Sequence, residues 1–280
     1  MNSTRPALSL GEEKANTRHL EQFTQSPLSE LLEEVACRLN FCESAAMSVV
    51  ELKAPVLERE HHQTMLAICL TMTAGYLDGY GLLVLGTYVS FMSGNTTMTG
   101  VRIGQGNLLA ALSPAIAVLS FVVGGFAANL ITHSPLRHAH SVLFGVIAAL
   151  LIIPSGLGND GMWKIVQIAV LALAMGMVNP ALSKIGAEAV SMTFMTGTLN
   201  RMATHLALAL KGSPLAASEG PWDTHLYRAG LDARLWASFF CGAILSGFLM
   251  SFIRAFALVP AIAMMVVLLV LSIAGSLRSN

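Results

Sequence analysis

The sequence predicts an all-α membrane protein of about six transmembrane helices plus two shorter, broken or re-entrant helices, built as two repeats. Three observations predict it. Of the 280 residues 54% are hydrophobic and only 11% charged, against roughly 25% charged in soluble domains. Segments 107–132 and 255–275 carry no charged side chain, and runs of about 18 or more such residues are candidate spans. A polar motif recurs inside the apolar sequence. Gly75-Tyr76-Leu77-Asp78, Val89-Ser90 and Phe91-Met92-Ser93-Gly94-Asn95-Thr96 are answered by Gly176-Met177-Val178-Asn179, Val190-Ser191 and Phe194-Met195-Thr196-Gly197-Thr198. Repeating so costly an arrangement points to duplication, with one site at the interface of the halves.

Residues 1–60 form a polar cytoplasmic extension that does not read as a signal peptide, since no basic segment precedes an apolar one. Ser26-Pro27 suits a helix start. Leu28, Leu31, Leu32, Val35 and Leu39 follow at helical spacing, opposite a mainly acidic face of Glu30, Glu33, Glu34 and Arg38. Membrane-surface helices are usually basic on that face, so a helix packed on the protein or on a partner is the favoured reading. Translation from Met47 or Met65 is the alternative.

The membrane domain, 61–280, divides into a first repeat over about 62–158 and a second over about 162–276. Spans are expected at 64–87, 108–131 and 141–157, and, after the break at Gly158-Asn159-Asp160-Gly161, at 163–184, 234–254 and 256–276. Short helices are expected at 94–105 and 197–211. If the short helices do not cross, Lys53, Arg59, Arg137, Lys184, Lys211, Arg228, Arg234 and Arg278 lie inside, and Arg102, Lys164 and Arg254 outside. That bias puts both termini in the cytoplasm. Three spans per unit then invert one repeat relative to the other; full crossing of the short helices would make them parallel.

Asp78 is the sole acid of the first span. An aspartate at the bilayer centre costs about 3 kcal/mol on insertion scales, so it usually faces a cavity or a partner. The functional reading is a proton, cation or substrate site; pairing with Lys184 or Arg201 would make it structural. Asn179, its counterpart, keeps the shape without the charge. Pro180 disfavours α geometry at Asn179 and removes a donor, which should kink the helix. Ser93, Gly94, Asn95 and Thr96, with Thr196, Gly197 and Thr198, suit helix starts at membrane depth, where unpaired N–H groups attract an anion. Close packing through small residues is the alternative. Arg201 and His205 share a helix face, for an anionic substrate or a proton relay, or for snorkelling to the interface.

Zero net charge gives no basic surface for nucleic acid. The cysteines lack disulfide or zinc spacing, the loop histidines lack metal-ligand partners, and no nucleotide-binding or hydrolase motif has the required context. No cofactor, metal or enzymatic role is expected. The expected partners are the bilayer and a small solute, an anionic one among the options, with proton or cation coupling; homo-oligomerisation is left open.

The spaced double motif resembles the YoaK-like membrane proteins, the domain-of-unknown-function 1275 family, over about residues 62–276. The resemblance implies a multi-pass protein of a bacterial-type inner membrane and no established substrate. The extension and the polar loop from Gly212 to Gly230 depart from the family pattern. A gradient-driven transporter or permease is the leading expectation. A non-transporting scaffold or sensor acting through the N-terminal helix comes second, and a membrane-embedded lipid enzyme third.

Overall fold

The computed structural model describes residues 60–278 except 137, 159, 183, 186–187, 216–217, 219 and 253–255. All lie in one unit, Glu60–Asn280. The helix expected over 28–39 lies outside the described residues.

Eight helices are described. They are α1 (Glu60–Leu85), α2 (Met92–Gly104), α3 (Leu108–Thr132), α4 (Ala139–Ser155), α5 (Gly161–Val178), α6 (Met195–Leu210), α7 (His225–Met250) and α8 (Val259–Arg278). Helices α1, α3, α7 and the continuous segment Gly161–Ala181 are long and apolar enough to cross a membrane; Ala139–Ser155 and Val259–Gly275 are shorter apolar helices. Helices α2 and α6, of 13 and 16 residues, reach only about 20 and 24 Å at 1.5 Å per residue, short of a hydrocarbon core of about 30 Å. The outer side of α3 leaves Leu109, Leu119, Val122, Val123, Phe126 and Leu130 exposed, a stripe that suits lipid.

Three boundaries correct the sequence reading. Helix α7 begins at His225 rather than 234. Thr224 caps it by accepting from the Tyr227 N–H, and the charges that hid this part of the helix are paired: Arg228 with Asp223 at 2.8 Å and Asp232 with Arg201 at 2.7 Å. Helix α5 stops at Val178, and Asn179–Ala181 continue as a 3-10 turn. Asn179 itself remains α-like at φ −60°, ψ −46°, contrary to the expectation drawn from Pro180. The missing proline donor acts on the next turn, tightening the ladder before Leu182 becomes extended. Beyond it, where a helix was expected to run to 184, Lys184–Ile185 pairs antiparallel with Glu188–Ala189, the β pairing among the described residues.

Relative direction follows from specific contacts. Tyr80, late in α1, donates to Gln167, early in α5, at 3.3 Å. Thr71, in mid-α1, touches Met192 beyond the end of α5. Helices α1 and α5 are therefore antiparallel. Gly75 faces Phe239, and Gly79 faces Ser246 one to two turns further along α7, so α1 and α7 run in the same direction. Ser141 at the start of α4 meets Ser272 near the end of α8 at 2.9 Å, which makes that pair antiparallel.

Two helix crossings bring backbone against backbone. A Cβ on Gly75 would overlap the Phe239 carbonyl, and one on Gly242 the Met72 carbonyl. At the other crossing, a Cβ on Gly176 would overlap the Phe121 carbonyl and one on Gly124 the Leu173 carbonyl. Small residues at such points allow close van der Waals packing where no hydrophobic effect draws helices together. Around these crossings Leu70, Leu77, Ile168, Leu171 and Met175 are fully buried, as are Leu143, Ile147 and Leu151 of α4.

Candidate functional site

Asp78 lies about two turns before the end of α1. The helix widens into a π turn over Gly81–Leu85, and Gly86 takes φ +62°, a left-handed conformation that glycine adopts without Cβ strain. The chain then folds back along the helix it has just left. Val89 and Ser90 donate their backbone N–H groups to Asp78 Oδ1 at 2.9 and 2.7 Å, and the Ser90 hydroxyl donates to Oδ2 at 2.7 Å. The carboxylate thus pins the returning segment at its own depth, and α2 starts there rather than at the protein surface. Asp78 is 5% exposed. Neither Lys184 nor Arg201 pairs with it, and its bonded partners among the described residues are all uncharged.

Helix α2 begins two residues earlier than Ser93 as its cap would have it. Phe91 occupies the cap position without a side-chain cap bond, and its ring lies over Gly94, where a Cβ would collide with it. Asn95 is fully buried and donates to the Tyr88 carbonyl at 2.7 Å. Its Oδ1 is buried without a hydrogen-bond partner. Ser93 and Thr96 are exposed, and the Thr96 hydroxyl is turned back onto the Met92 carbonyl at 2.8 Å.

The second motif folds by the same logic with a weaker clasp. Asn179 donates to the Thr193 hydroxyl at 2.9 Å and accepts from the Ser191 hydroxyl at 3.4 Å. Helix α6 starts behind Phe194, whose ring covers Gly197. Thr198 is buried with its hydroxyl on the Phe194 carbonyl at 3.2 Å, while Thr196 is exposed.

The segments after α1 and α5 meet at a cavity of about 280 Å³. Helix α1 contributes Gly75, Asp78, Gly79 and Leu82; the first returning segment contributes Tyr88 and Phe91; the second contributes Thr193 and Met195; α7 closes it with Phe239 and Ala243. Of the binding residues proposed from sequence, Asp78 lines this space, together with Gly75, Phe91 and Met195 of the repeated motif. Ser93, Gly94, Asn95, Thr96, Asn179, Thr196, Gly197 and Thr198 shape the two segments without lining it.

Arg201 and His205 stand elsewhere, at the packing of α6 on α7. Arg201 donates to Asp232 Oδ1 at 2.7 Å, with Asp232 fully buried. His205 and His225 approach Nδ1 to Nδ1 at 2.9 Å, so one ring donates and the other accepts. Sequence reasoning passed over Asp232 because Arg228 and Arg234 beside it read as an inside loop. It passed over Phe239 and Ala243 because an apolar pair four apart in an apolar helix stands out from nothing.

A cavity lined by apolar and aromatic side chains, with Thr193 and one buried carboxylate, can hold a small molecule and orient it by few polar groups. The family profile described as "Protein of unknown function (DUF1275)" matches residues 66–271. The chain belongs to this family. Two of its relatives are the UPF0700 transmembrane protein RA0705 of Rhizobium meliloti (strain 1021) and the UPF0700 transmembrane protein YoaK of Bacillus subtilis (strain 168). The first is 28% identical over 178 residues, 62% of this chain and 76% of the relative. The second is 27% identical over 146 residues, 50% of this chain and 64% of the relative, so the match spans less than two thirds of YoaK. No solved structure matches. The relatives are named as transmembrane proteins, and four helices here are long and apolar enough to cross a membrane, which agrees with a membrane protein.

Proposed function

We propose that the chain is a gradient-driven transporter of a small solute, built as two inverted repeats of three spans and one half-length helix in the inner membrane. The observation that carries the proposal is the shared cavity: two chain segments that re-enter from different helices meet at one buried carboxylate. Discontinuous helices meeting at membrane depth, at a repeat interface, are the usual setting of a secondary transporter's binding site.

The repeat is supported pair by pair. Met72, Gly75, Asp78 and Ser90 take the positions of Leu173, Gly176, Asn179 and Ser191, and Phe91 and Gly94 those of Phe194 and Gly197. Phe121 and Gly124 of α3 answer to Phe239 and Gly242 of α7, so each unit's first helix crosses the other unit's third helix through the same glycines. Because α1 and α5 are antiparallel, the units are inverted. Alternating α3, α4 and α5 through short linkers gives six crossings, with the ends of the membrane domain on one side. Helices α2 and α6 then return to the faces from which their segments entered.

The arrangement makes a topological prediction. In a variant stripped of native cysteines, Gln105→Cys after α2 and Lys211→Cys after α6 should be labelled by impermeant maleimide from opposite sides of the membrane. Labelling of both from the same side would sink the inverted arrangement.

The functional prediction concerns Asp78. In proteoliposomes carrying a proton or cation gradient, Asp78→Asn should abolish gradient-coupled uptake, by about a hundredfold or more for loss of a buried coupling charge. Uptake by the variant at the wild-type rate would remove Asp78 from the mechanism.

A further inference from the structure

We propose that the Asp78 cavity takes a small organic cation, a protonated amine carried on an apolar or aromatic body, rather than the anion that the helix starts suggest from sequence. The inference rests on the reading of this cavity as the solute site and names the class of solute.

The charge balance comes first. Among the described residues, Asp78 is the one acidic side chain lining the cavity, and no lysine, arginine or histidine lines it. The three groups that bond Asp78 through Val89 and Ser90 are neutral donors. These donors, with the Phe91 backbone N–H beside them, occupy most of the roughly four acceptor positions of the carboxylate but carry no positive charge, so an entering group meets its negative charge. A buried carboxylate without a counter-ion is costly, and a cation that enters beside it supplies the missing charge.

An anion finds no such vacancy. The turn donors that would have greeted it, Val89 N–H and Ser90 N–H, already belong to Asp78. The starts of α2 and α6 are shielded by the Phe91 and Phe194 rings lying over Gly94 and Gly197. Any anion admitted would also sit against the like charge of Asp78.

The remaining wall suits the rest of the molecule. Tyr88 and Phe91 stand edge to face with centroids 5.3 Å apart, and Phe239 faces the same space from α7. Aromatic faces within about 6 Å of a cation attract it, while Leu82, Met195 and Ala243 offer apolar contact. A volume of about 280 Å³ falls just below the usual range of ligand sites, about 300 to 1,000 Å³, so the body is compact.

The test uses the full chain in lipid nanodiscs with three probes of nearly equal shape: 2-phenylethylamine, 2-phenylethanol and phenylacetate. By calorimetry the amine should bind, and the alcohol and the acid should bind about tenfold or more weakly, the worth of one charge-assisted contact. Asp78→Asn should reduce the amine to the affinity of the alcohol. Since Asp78 also anchors the returning segment, Ala243→Phe serves as the second variant. It leaves the carboxylate in place, fills the cavity and should abolish amine binding. Equal affinity for all three probes, tighter binding of the acid, absence of amine binding, or amine binding that survives both variants would overturn the assignment.

Flux is measured separately, by counterflow of the amine in proteoliposomes. Binding without flux would leave the cation assignment standing and end the transporter reading. Asp78-dependent flux of an anion without amine binding would do the reverse.

Discussion

Gly75→Ala and Gly176→Ala are each expected to destabilise the membrane domain by about 2–3 kcal/mol, the cost of forcing extra volume into a packed interior. The sign is the informative part. Inside a helix, replacing glycine by alanine ordinarily gains up to about 1 kcal/mol, because alanine loses less backbone freedom on folding. At Gly75 the new methyl would overlap the Phe239 carbonyl, and at Gly176 the Phe121 carbonyl. Backbone cannot swing aside as a flexible side chain does, so α1 must lift from α7, or α5 from α3. Gly247→Ala is the control: it also lies in α7, yet its added Cβ meets nothing within 4 Å. Melting of the purified variants in one detergent, followed by size-exclusion fluorescence, compares them directly. If Gly75→Ala and Gly176→Ala melt like Gly247→Ala, the helix crossings are looser than described.

The two crossings also explain why part of this architecture was legible in the sequence. Gly75 and Gly176 each stand three residues before a polar side chain in an apolar helix, an expensive arrangement that stands out from the apolar sequence around it. The same contrast identified Asp78 as a residue facing a cavity. Where contrast was lacking, reading failed. The glycines of the SGNT and TGT segments suggested open, anion-attracting helix starts. Their physical use is the opposite, because the missing Cβ makes room for the preceding phenylalanine ring to fold over the helix end. Nothing in a Phe-x-x-Gly spacing distinguishes a covered start from an open one before the ring is placed.

Charge patterning misled in a related way. Arg228, Asp232 and Arg234 interrupt the apolar run of α7, and a composition window treats each charge as a debit against membrane insertion. Hydropathy along one segment cannot register that the partner of Asp232 arrives from α6, thirty-one positions earlier in the chain. The expected span was therefore cut short at 234, and Arg201 was left free to be imagined at the substrate. Pairing between helices is a tertiary property, and it is why the length of α7 and the place of Arg201 emerged only from the fold.

That pairing leads to the second large effect. Arg201→Met alone should cost about 3–5 kcal/mol, since it removes the guanidinium that meets the fully buried Asp232 carboxylate at 2.7 Å. Replacing both partners should cost far less. Arg201→Met combined with Asp232→Leu substitutes apolar groups of similar length for a fully buried carboxylate and a partly exposed guanidinium, and such exchanges of buried pairs are often neutral or stabilising. The predicted pattern is strong non-additivity, with the double variant recovering most of the melting temperature lost by the single one. Because the pair lies outside the Asp78 cavity, the double variant should also keep the ligand affinity of the parent protein. A double variant no more stable than Arg201→Met would mean that the packing of α6 on α7 depends on the charges themselves. A stable double variant with weakened binding would mean instead that Arg201 acts at the solute site, as its place on the second short helix first suggested.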